Sequence, residues 1–103
     1  MHHLLILLPA LLATAGACAQ ANPAALQQRA LAATCANCHG TDGRAISGSV
    51  VPGLAGQPVA YLADALKGYK RGERSATVMH QIAKGYSDAQ LDALATYFAD
   101  LPR

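Results

Sequence analysis

The most constraining feature of this sequence is a cluster of two cysteines and a histidine, Cys35-Ala36-Asn37-Cys38-His39. The chain around it has 103 residues, with no Trp and one Phe, so large side chains that could fill a core are scarce. Domains this small usually need a staple such as a disulfide, a metal or a cofactor. The cluster is the part of the sequence best suited to hold one.

The spacing of the cluster is C-x-x-C-H, the attachment motif of c-type haem. Two thiols three positions apart on a turn can bond the two vinyl groups of haem as thioethers. The residue after the second thiol then lies under the iron, where an imidazole supplies the proximal ligand. We therefore expect one covalent haem c on Cys35 and Cys38, with His39 as an axial ligand of the iron.

Other uses of these side chains fit the sequence less well. A redox dithiol of the thioredoxin type needs a βαβ setting, which the sequence lacks. A zinc-stabilised interaction module needs four ligands, and the adjacent Cys38 and His39 would fit poorly in one tetrahedron. It would also be colourless when purified. A simple disulfide between the two cysteines would leave His39 without a role.

Residues 1–21 have the composition of a secretory signal peptide. Their aliphatic run is shorter than the roughly 20 residues that a membrane span needs, and small residues follow it. The absence of Lys and Arg from this segment is atypical. We expect cleavage after Ala19 or Ala21, export to the periplasm and a mature domain over residues 22–103. The residues before Cys18 also loosely resemble a lipoprotein processing site, so lipidation of Cys18 is an alternative.

An iron held by one histidine needs a sixth ligand. Met79 is the only methionine beyond the leader, and it follows a glycine-rich loop and a helix that can carry the chain around a haem. A lone methionine is otherwise ordinary core filler. His80 is the rival, but neighbours on a helical turn point about 100° apart, so only one of them reaches the iron. We expect Met79 to bind the iron and His80 to face solvent or the haem rim.

Methionine ligation raises the reduction potential relative to a second histidine. With both axial positions filled by the protein, the iron has no open position for a substrate. We therefore expect a carrier of electrons rather than an enzyme.

The first half of the mature chain predicts one helix and one long loop. Asn22 and Pro23 start a helix that we expect to reach the cysteines and to end by Gly40. Residues 40–57 contain six glycines or prolines and no helical period. A loop of this length is uncommon in a compact domain unless it wraps something. The residues that recur at helical spacing in the first helix are Leu26, Ala30, Leu31 and Thr34.

The second half predicts two longer helices and a short helical turn between them. Pro58 opens a helix that ends at Gly72, and residues 77–84 form the turn. Ser87 and Gln90 make a capping box that starts the last helix, which Pro102 stops. No segment alternates with period two, so no substantial sheet is expected. The apolar positions are Tyr61, Leu62, Ala65, Leu66 and Tyr69 in one helix and Leu91, Leu94, Ala95, Phe98 and Leu101 in the other.

The net charge of the chain is only +2, and no basic tract with interleaved aromatic residues is present. Nucleic acid is therefore not an expected partner. Four basic residues form a stretch on the second helix and its exit, and they are Lys67, Lys70, Arg71 and Arg74. This basic stretch is either a solvated face or a patch that steers partners or pairs with haem propionates. The sequence does not separate these two readings.

Residues 34–43, TCANCHGTDG, resemble the haem-binding segment of the class I cytochromes c of bacterial periplasms. Residues 51–57, VPGLAGQ, resemble the proline loop of that family, and Met79 stands where its distal methionine stands. The resemblance extends over residues 31–101. It implies that the backbone carbonyl of Pro52 accepts a hydrogen bond from the imidazole of His39 and fixes its orientation.

The same resemblance implies an all-α fold, the class I cytochrome c fold, with crossed N- and C-terminal helices around the haem. In this chain the crossing would bring Leu31 and its neighbours against Leu94, Tyr97 and Phe98.

A narrower resemblance concerns residues 72–87, GERSATVMHQIAKGYS, which look like part of the cytochrome subunit of flavocytochrome c sulfide dehydrogenase. In that complex a flavoprotein takes electrons from sulfide and the cytochrome subunit accepts them. The resemblance implies an FAD-containing partner subunit. Having one C-x-x-C-H, the chain departs from the dihaem members of that family and matches the single-haem members.

Two electron-transfer roles therefore remain open. A permanent subunit predicts an apolar docking patch near the haem edge, because lasting interfaces are more apolar than transient ones. The alternative is a free cytochrome that shuttles electrons to a terminal oxidase or another acceptor. It predicts a polar, charged rim around the same edge and weak binding.

Overall fold

The computed structural model describes residues 22–103. The predicted leader, its cleavage sites and Cys18 lie outside these described residues. None of residues 22–103 lies in a β-strand, so the all-α prediction is confirmed. None of their helices is long and apolar enough to cross a membrane. The helices are α1 (Pro23–Ala33), α2 (Ala36–His39), a 3-10 turn (Thr41–Gly43), α3 (Val59–Arg71), α4 (Met79–Lys84) and α5 (Asp88–Ala99).

The first predicted helix is two helices in the structure. The helix is interrupted at Thr34 and Cys35. The amides of these two residues donate hydrogen bonds to the carbonyls three residues earlier and so form a tight turn. The Thr34 hydroxyl also donates to the Leu31 carbonyl at 2.7 Å. Threonine side chains compete in this way with the regular helical ladder. The prediction of one helix up to Gly40 is therefore wrong, and the break separates α1 from the short α2 that carries His39.

Helix α1 crosses α5 and contacts it through a face of mostly small residues. Ala32 is buried in the core beside α5, and Leu31 packs against the same cluster. The amide of Gln28 donates to the carbonyl of Ala93 at 3.1 Å. Leu26, which shares the helical spacing, is 61% exposed and takes no part in this contact. The first and last helices therefore meet as predicted. The face of α1 that contacts α5 is narrower than the spacing of apolar residues in the sequence indicates.

Helix α5 supplies most of the core. The Ser87 side chain accepts from the Gln90 amide at 3.1 Å, and the Gln90 side chain accepts from the Ser87 amide at 2.8 Å, so the predicted capping box is formed. The helix ends at Ala99, just before the predicted stop. Its buried residues keep the predicted period of three to four and are Leu91, Leu94, Ala95 and Phe98.

Helix α3 lies against both α4 and α5. It begins after Pro58 and ends where Gly72 adopts a left-handed conformation, with φ of 75°. The amide of Glu73 donates to the carbonyl of Gly68 at 2.9 Å, and the amide of Gly72 donates to that of Tyr69 at 3.1 Å. These two bonds form a Schellman motif, which satisfies the free carbonyls at the helix end. Both predicted ends of this helix are therefore correct.

Candidate haem site

A cavity of about 440 Å³ opens between the loop that follows α2 and the helices α3, α4 and α5. Its lining includes all five residues that the sequence singles out: Cys35, Cys38, His39, Pro52 and Met79. The rest of the lining is mostly apolar. Its aliphatic and aromatic wall comes from Leu62, Ala65 and Leu66 of α3 and from Leu94, Ala95 and Phe98 of α5. The cavity is therefore a mostly apolar chamber with one imidazole, one thioether and two thiols at its surface.

His39 is the most firmly held of these side chains. It is only 9% exposed, and its Nδ1 lies 2.7 Å from the backbone carbonyl oxygen of Pro52. A carbonyl can only accept, so Nδ1 must carry the proton and donate it. In the neutral imidazole the lone pair of the other ring nitrogen, Nε2, is then the one available for a metal. The hydrogen bond thereby fixes both the tautomer and the orientation of the ring.

The backbone passes close to itself at two glycines that follow His39. Gly40 has φ of 82°, and a Cβ there would lie 2.0 Å from the carbonyl oxygen of Arg44. The carbonyl of Gly43 accepts from the amides of Leu54 at 2.7 Å and Ala55 at 3.2 Å. These bonds tie the segment after His39 to the loop that carries the Pro52 carbonyl.

The two thiols differ in their surroundings. Cys35 is half-buried and Cys38 is exposed, and both are free. Burial raises the pKa of the Cys35 thiol, against a smaller lowering by a contact with the Thr34 hydroxyl. Redox dithiols depend instead on a lowered pKa, because the thiolate is the reactive form. The raised pKa of Cys35 is therefore the opposite of what a redox dithiol needs.

The two residues considered for the distal position occupy different environments. Met79 is the first residue of α4 and lines the cavity. His80 does not line the cavity, and its Nδ1 is buried without a hydrogen-bond partner. His80 as a whole is partly exposed, so the burial of this one atom does not test whether the ring faces solvent or the haem rim. The structure thus brings Met79, and not His80, to the same chamber as His39.

The residues present fit a haem. One imidazole nitrogen and one thioether sulfur form an axial pair known for cytochromes c. The aliphatic walls suit a flat apolar macrocycle, and the two thiols lie in the lining where covalent links are needed. No further protein ligand is required, because a porphyrin supplies the remaining positions around its iron.

Sequence reasoning missed several contacts that hold the site together. The Tyr86 hydroxyl, which lies 2.8 Å from Thr34 Oγ1, must donate to it, because the Thr34 proton goes to Leu31. The Tyr97 hydroxyl donates to the carboxylate of Asp42 at 3.1 Å. Burial, followed by this bond, raises the pKa of Tyr97. The partners in these two bonds are 52 and 55 residues apart, and no local signal in the sequence links them.

Comparison with known proteins identifies the class of protein that this site defines. The family model of cytochrome c matches residues 24–102, so the chain belongs to the cytochrome c family. The expected class I fold and the expected cofactor, one covalent haem c, are thereby confirmed. The chain transfers electrons by means of this haem and is a carrier rather than an enzyme.

Individual relatives have related descriptions. The chain is 42% identical over 73 residues to the cytochrome subunit of sulfide dehydrogenase from Chlorobaculum tepidum, covering 71% of this chain and 64% of that protein. It is 46% identical over 70 residues to the thiosulfate dehydrogenase electron acceptor from Thiomonas intermedia, covering 68% of this chain and 32% of that protein. Both matches span less than two thirds of the relative.

The match covers a larger share of a third relative. Cytochrome c-554(548) from Halomonas halodenitrificans is 38% identical over 69 residues, which cover 64% of this chain and 82% of that protein.

Proposed function

We propose that Cys35 and Cys38 attach haem through thioether bonds, that His39 and Met79 are the axial ligands, and that Pro52 orients His39. The observation that carries this proposal is the position of all five residues in one cavity, with the His39 imidazole already bonded to the Pro52 carbonyl. When bound, haem supplies a one-electron couple at its iron. The residues around it bind, orient and shield it.

The arrangement of the chain suits electron transfer and does not suit substrate chemistry. Axial ligands from both sides would leave no iron position open to a small molecule. The ring of His39 cannot swing while its Nδ1–H is held, so the imidazole keeps its position when the charge on the site changes. The apolar walls from α3 and α5 keep water away, which limits solvent rearrangement around the site.

This assignment of the site has a direct spectroscopic test. The mature chain, expressed with a working haem-ligation system, should show a Soret band and should keep its colour in acidified acetone, because thioether links do not dissociate. A product without a Soret band, or one whose pigment is extracted, would refute covalent attachment at Cys35 and Cys38.

We propose further that the chain is the cytochrome subunit that accepts electrons from an FAD-containing, sulfide-oxidising flavoprotein. Apolar side chains around the cavity mouth support a lasting interface. Val50, Val78 and Ile82 line the mouth and are 99%, 53% and 43% exposed. Ile46 is 78% exposed and lies outside the cavity lining, so its side chain would stay exposed when haem fills the cavity.

The pairing of charges in the basic stretch supports the same proposal. Three residues of the basic stretch are already paired, since Lys67 contacts Asp92 at 2.6 Å, Lys70 contacts Asp88 at 2.7 Å and Arg71 contacts Glu73 at 2.7 Å. Charges that are offset in this way steer an encounter less strongly than free ones. This favours a docked subunit over a freely diffusing shuttle.

The names of two relatives supply the chemical class of the electron donor. Both describe acceptors of electrons from the oxidation of an inorganic sulfur compound, sulfide in one and thiosulfate in the other. The resemblance of residues 72–87 favours the sulfide enzyme. Thiosulfate oxidation and the free shuttle are the alternatives that the experiment must separate.

The experiment is co-purification from the native host followed by a test for flavin absorbance. We expect the chain to elute with a flavoprotein that is reduced by sulfide. Ile46→Asp should abolish this co-elution, because Ile46 lies on the same loop as the cavity-lining Val50. Leu26→Asp should not, because Leu26, although 61% exposed, lies on α1, none of whose residues lines the cavity. Elution of the wild-type chain alone as a small red monomer would refute the subunit proposal and leave the haem site intact.

We also propose that residues 1–21 are removed as a signal peptide and that residues 22–103 act in the periplasm. The composition of the leader supports this location. Mass spectrometry of the native protein tests it. A mature chain that starts near Gln20 or Asn22 is expected, whereas a lipid mass on Cys18 would favour the membrane-anchored alternative.

A further inference from the structure

Arg74 differs from the other members of the basic stretch. It forms no ion pair within residues 22–103, whereas Lys67, Lys70 and Arg71 each contact a carboxylate. Its guanidinium lies 5.7 Å from the ring centroid of Tyr61 and 5.3 Å from that of Tyr69. Both rings line the cavity, and the Arg74 side chain is partly buried. A cation is thus held against the cavity wall without an acidic partner.

The backbone builds this position. The left-handed Gly72 reverses the chain at the end of α3, and the amide of Arg74 then donates to the carbonyl of Gly68 at 3.3 Å. A Cβ on Gly68 would lie 3.0 Å from both Cγ and Cδ of Arg74. Glycine is unfavourable in a helix interior, so its presence at this buried position is explained by the room it leaves for the arginine stem.

A partly buried cation needs a counter-charge more than an exposed one does. A haem carries two propionate carboxylates, and arginine binds carboxylates through two parallel hydrogen bonds. A positive charge at this position also favours the uptake of an electron, because it offsets the negative charge that reduction adds to the site. The same charge in solvent would be largely screened.

We propose that Arg74, resting on Gly68 and held against Tyr61 and Tyr69, is a positioning residue that pairs with the haem propionates and raises the reduction potential. This role rests on the cavity being the haem seat, as proposed above. It gives a function to the one member of the basic stretch that has no acidic partner.

The test is a redox titration of the haem-loaded chain and its variants. Arg74→Gln should lower the midpoint potential while the sulfur-to-iron absorption band is kept. Arg74→Lys should recover most of the loss, because it restores the charge. The matched control is Arg71→Gln, which removes the same charge from an exposed pair with Glu73 and should leave the potential close to that of the wild type.

Two results would overturn the proposal. One is an unchanged potential in Arg74→Gln. The other is an equal loss in Arg74→Gln and Arg74→Lys, which would assign the effect to packing on the tyrosine rings rather than to charge. All these variants retain both thiols and both axial ligands. A fault in the haem site itself would therefore appear as a missing Soret band in the wild type and would be distinguishable.

A variant that keeps every charge gives an independent check. Gly68→Ala places a methyl group against the Arg74 stem, although alanine is the better residue for a helix interior. We expect a lower potential without a loss of helical structure by circular dichroism. An unchanged potential would refute the role of Gly68 as the seat of Arg74.

Discussion

The two sides of the cavity that carry the proposed axial ligands are built in different ways. His39 is 9% exposed and is bonded to a backbone carbonyl at 2.7 Å. Met79 starts a helix of six residues whose N-cap, Val78, makes no side-chain capping bond. Its neighbours Val78 and Ile82 are 53% and 43% exposed. The imidazole of His39 is thus held by a hydrogen bond to the backbone, whereas Met79 lies at the uncapped start of a short helix that packs on α3.

This difference shows where the organisation of the site comes from. The tautomer and direction of the proximal imidazole are set by the protein's own hydrogen bond to Pro52. The distal segment packs on α3 through the buried Ala83, and its exposed apolar residues would gain further contacts with the macrocycle or a partner. Substitutions on the proximal side should therefore impair haem loading and stability. Substitutions on the distal side should change the redox properties of a protein that still folds.

The largest effect is expected from His39→Ala. It removes the proximal ligand, so we expect a severe loss of haem-loaded protein and of the spectrum of a six-coordinate iron. The ratio of Soret absorbance to protein concentration measures this. Normal haem loading and an unchanged reduction potential in this variant would show that haem binding does not depend on the proximal side.

Met79→Ala should be less severe and of a different kind. We expect haem to remain attached, the sulfur-to-iron band to disappear from the oxidised spectrum and the potential to fall. His80→Ala is the matched control and should keep the band. Persistence of the band in Met79→Ala would remove Met79 from the iron and contradict the contrast between the two sides.

Gly43→Ala tests the close contacts of the proximal side. The added methyl would lie 2.7 Å from Cδ1 of Phe98 and 2.9 Å from Cβ of Leu54, at a residue with φ of 69°. We expect the free energy of unfolding to fall by about 2–4 kcal/mol, from overpacking and backbone strain together.

Gly48→Ala is the control for Gly43→Ala. Gly48 has φ of 79°, but no atom lies within 4 Å of the Cβ that alanine would add. Gly48→Ala therefore measures the backbone strain alone, which should cost about 1 kcal/mol of stability. Equal losses in chemical denaturation of the two variants would mean that close packing contributes nothing at Gly43.

The bond between Thr34 and Tyr86 joins the two sides, and its contribution should be smaller. Thr34→Val and Tyr86→Phe each remove it, and a double-mutant cycle isolates it from the other contacts of Thr34. We expect a coupling free energy of about 0.5–1.5 kcal/mol in chemical denaturation. A coupling of zero would mean that the two sides are independent in the folded chain.

The smallest effect is expected from Asp88→Asn, outside both sides of the cavity. The bond from Lys70 lowers the pKa of Asp88 below its ordinary value of 3.8. The ionised carboxylate of Asp88 therefore stabilises the folded chain at pH values above 3.8. This stabilisation is lost as the pH falls through the lowered pKa of the folded chain. The variant should lose slightly less stability than the wild type during acid titration. An identical profile would show that this exposed pair contributes nothing.

The parts of the fold that could be predicted from the sequence are those with local signals. Pro58 and Gly72 bound α3, and the box of Ser87 and Gln90 starts α5, because a cap or a fixed φ acts within a few residues. The break at Thr34 was missed because it depends on a hydroxyl that competes with the helix. The exposure of Leu26 was not predicted, because which face of α1 is buried depends on how that helix packs on α5.

In the candidate site, too, the features that could be predicted are those with a local signal in the sequence. The motif and the lone mature methionine indicated the residues that line one cavity. The buried Nδ1 of His80 and the bonds from Tyr86 and Tyr97 were not foreseen. Their partners and surroundings come from distant segments, so spacing along the chain carries no information about them.

The wall supplied by α5 has a consequence for the order of events during synthesis. Leu94, Ala95 and Phe98 line the same chamber as Cys35 and Cys38, yet they are translated long after the two thiols. A growing chain that has just presented the motif has no chamber around it. If haem is attached at these sulfurs as proposed, the approach to them is widest before the final helix packs, and that helix then closes the chamber over the attached group.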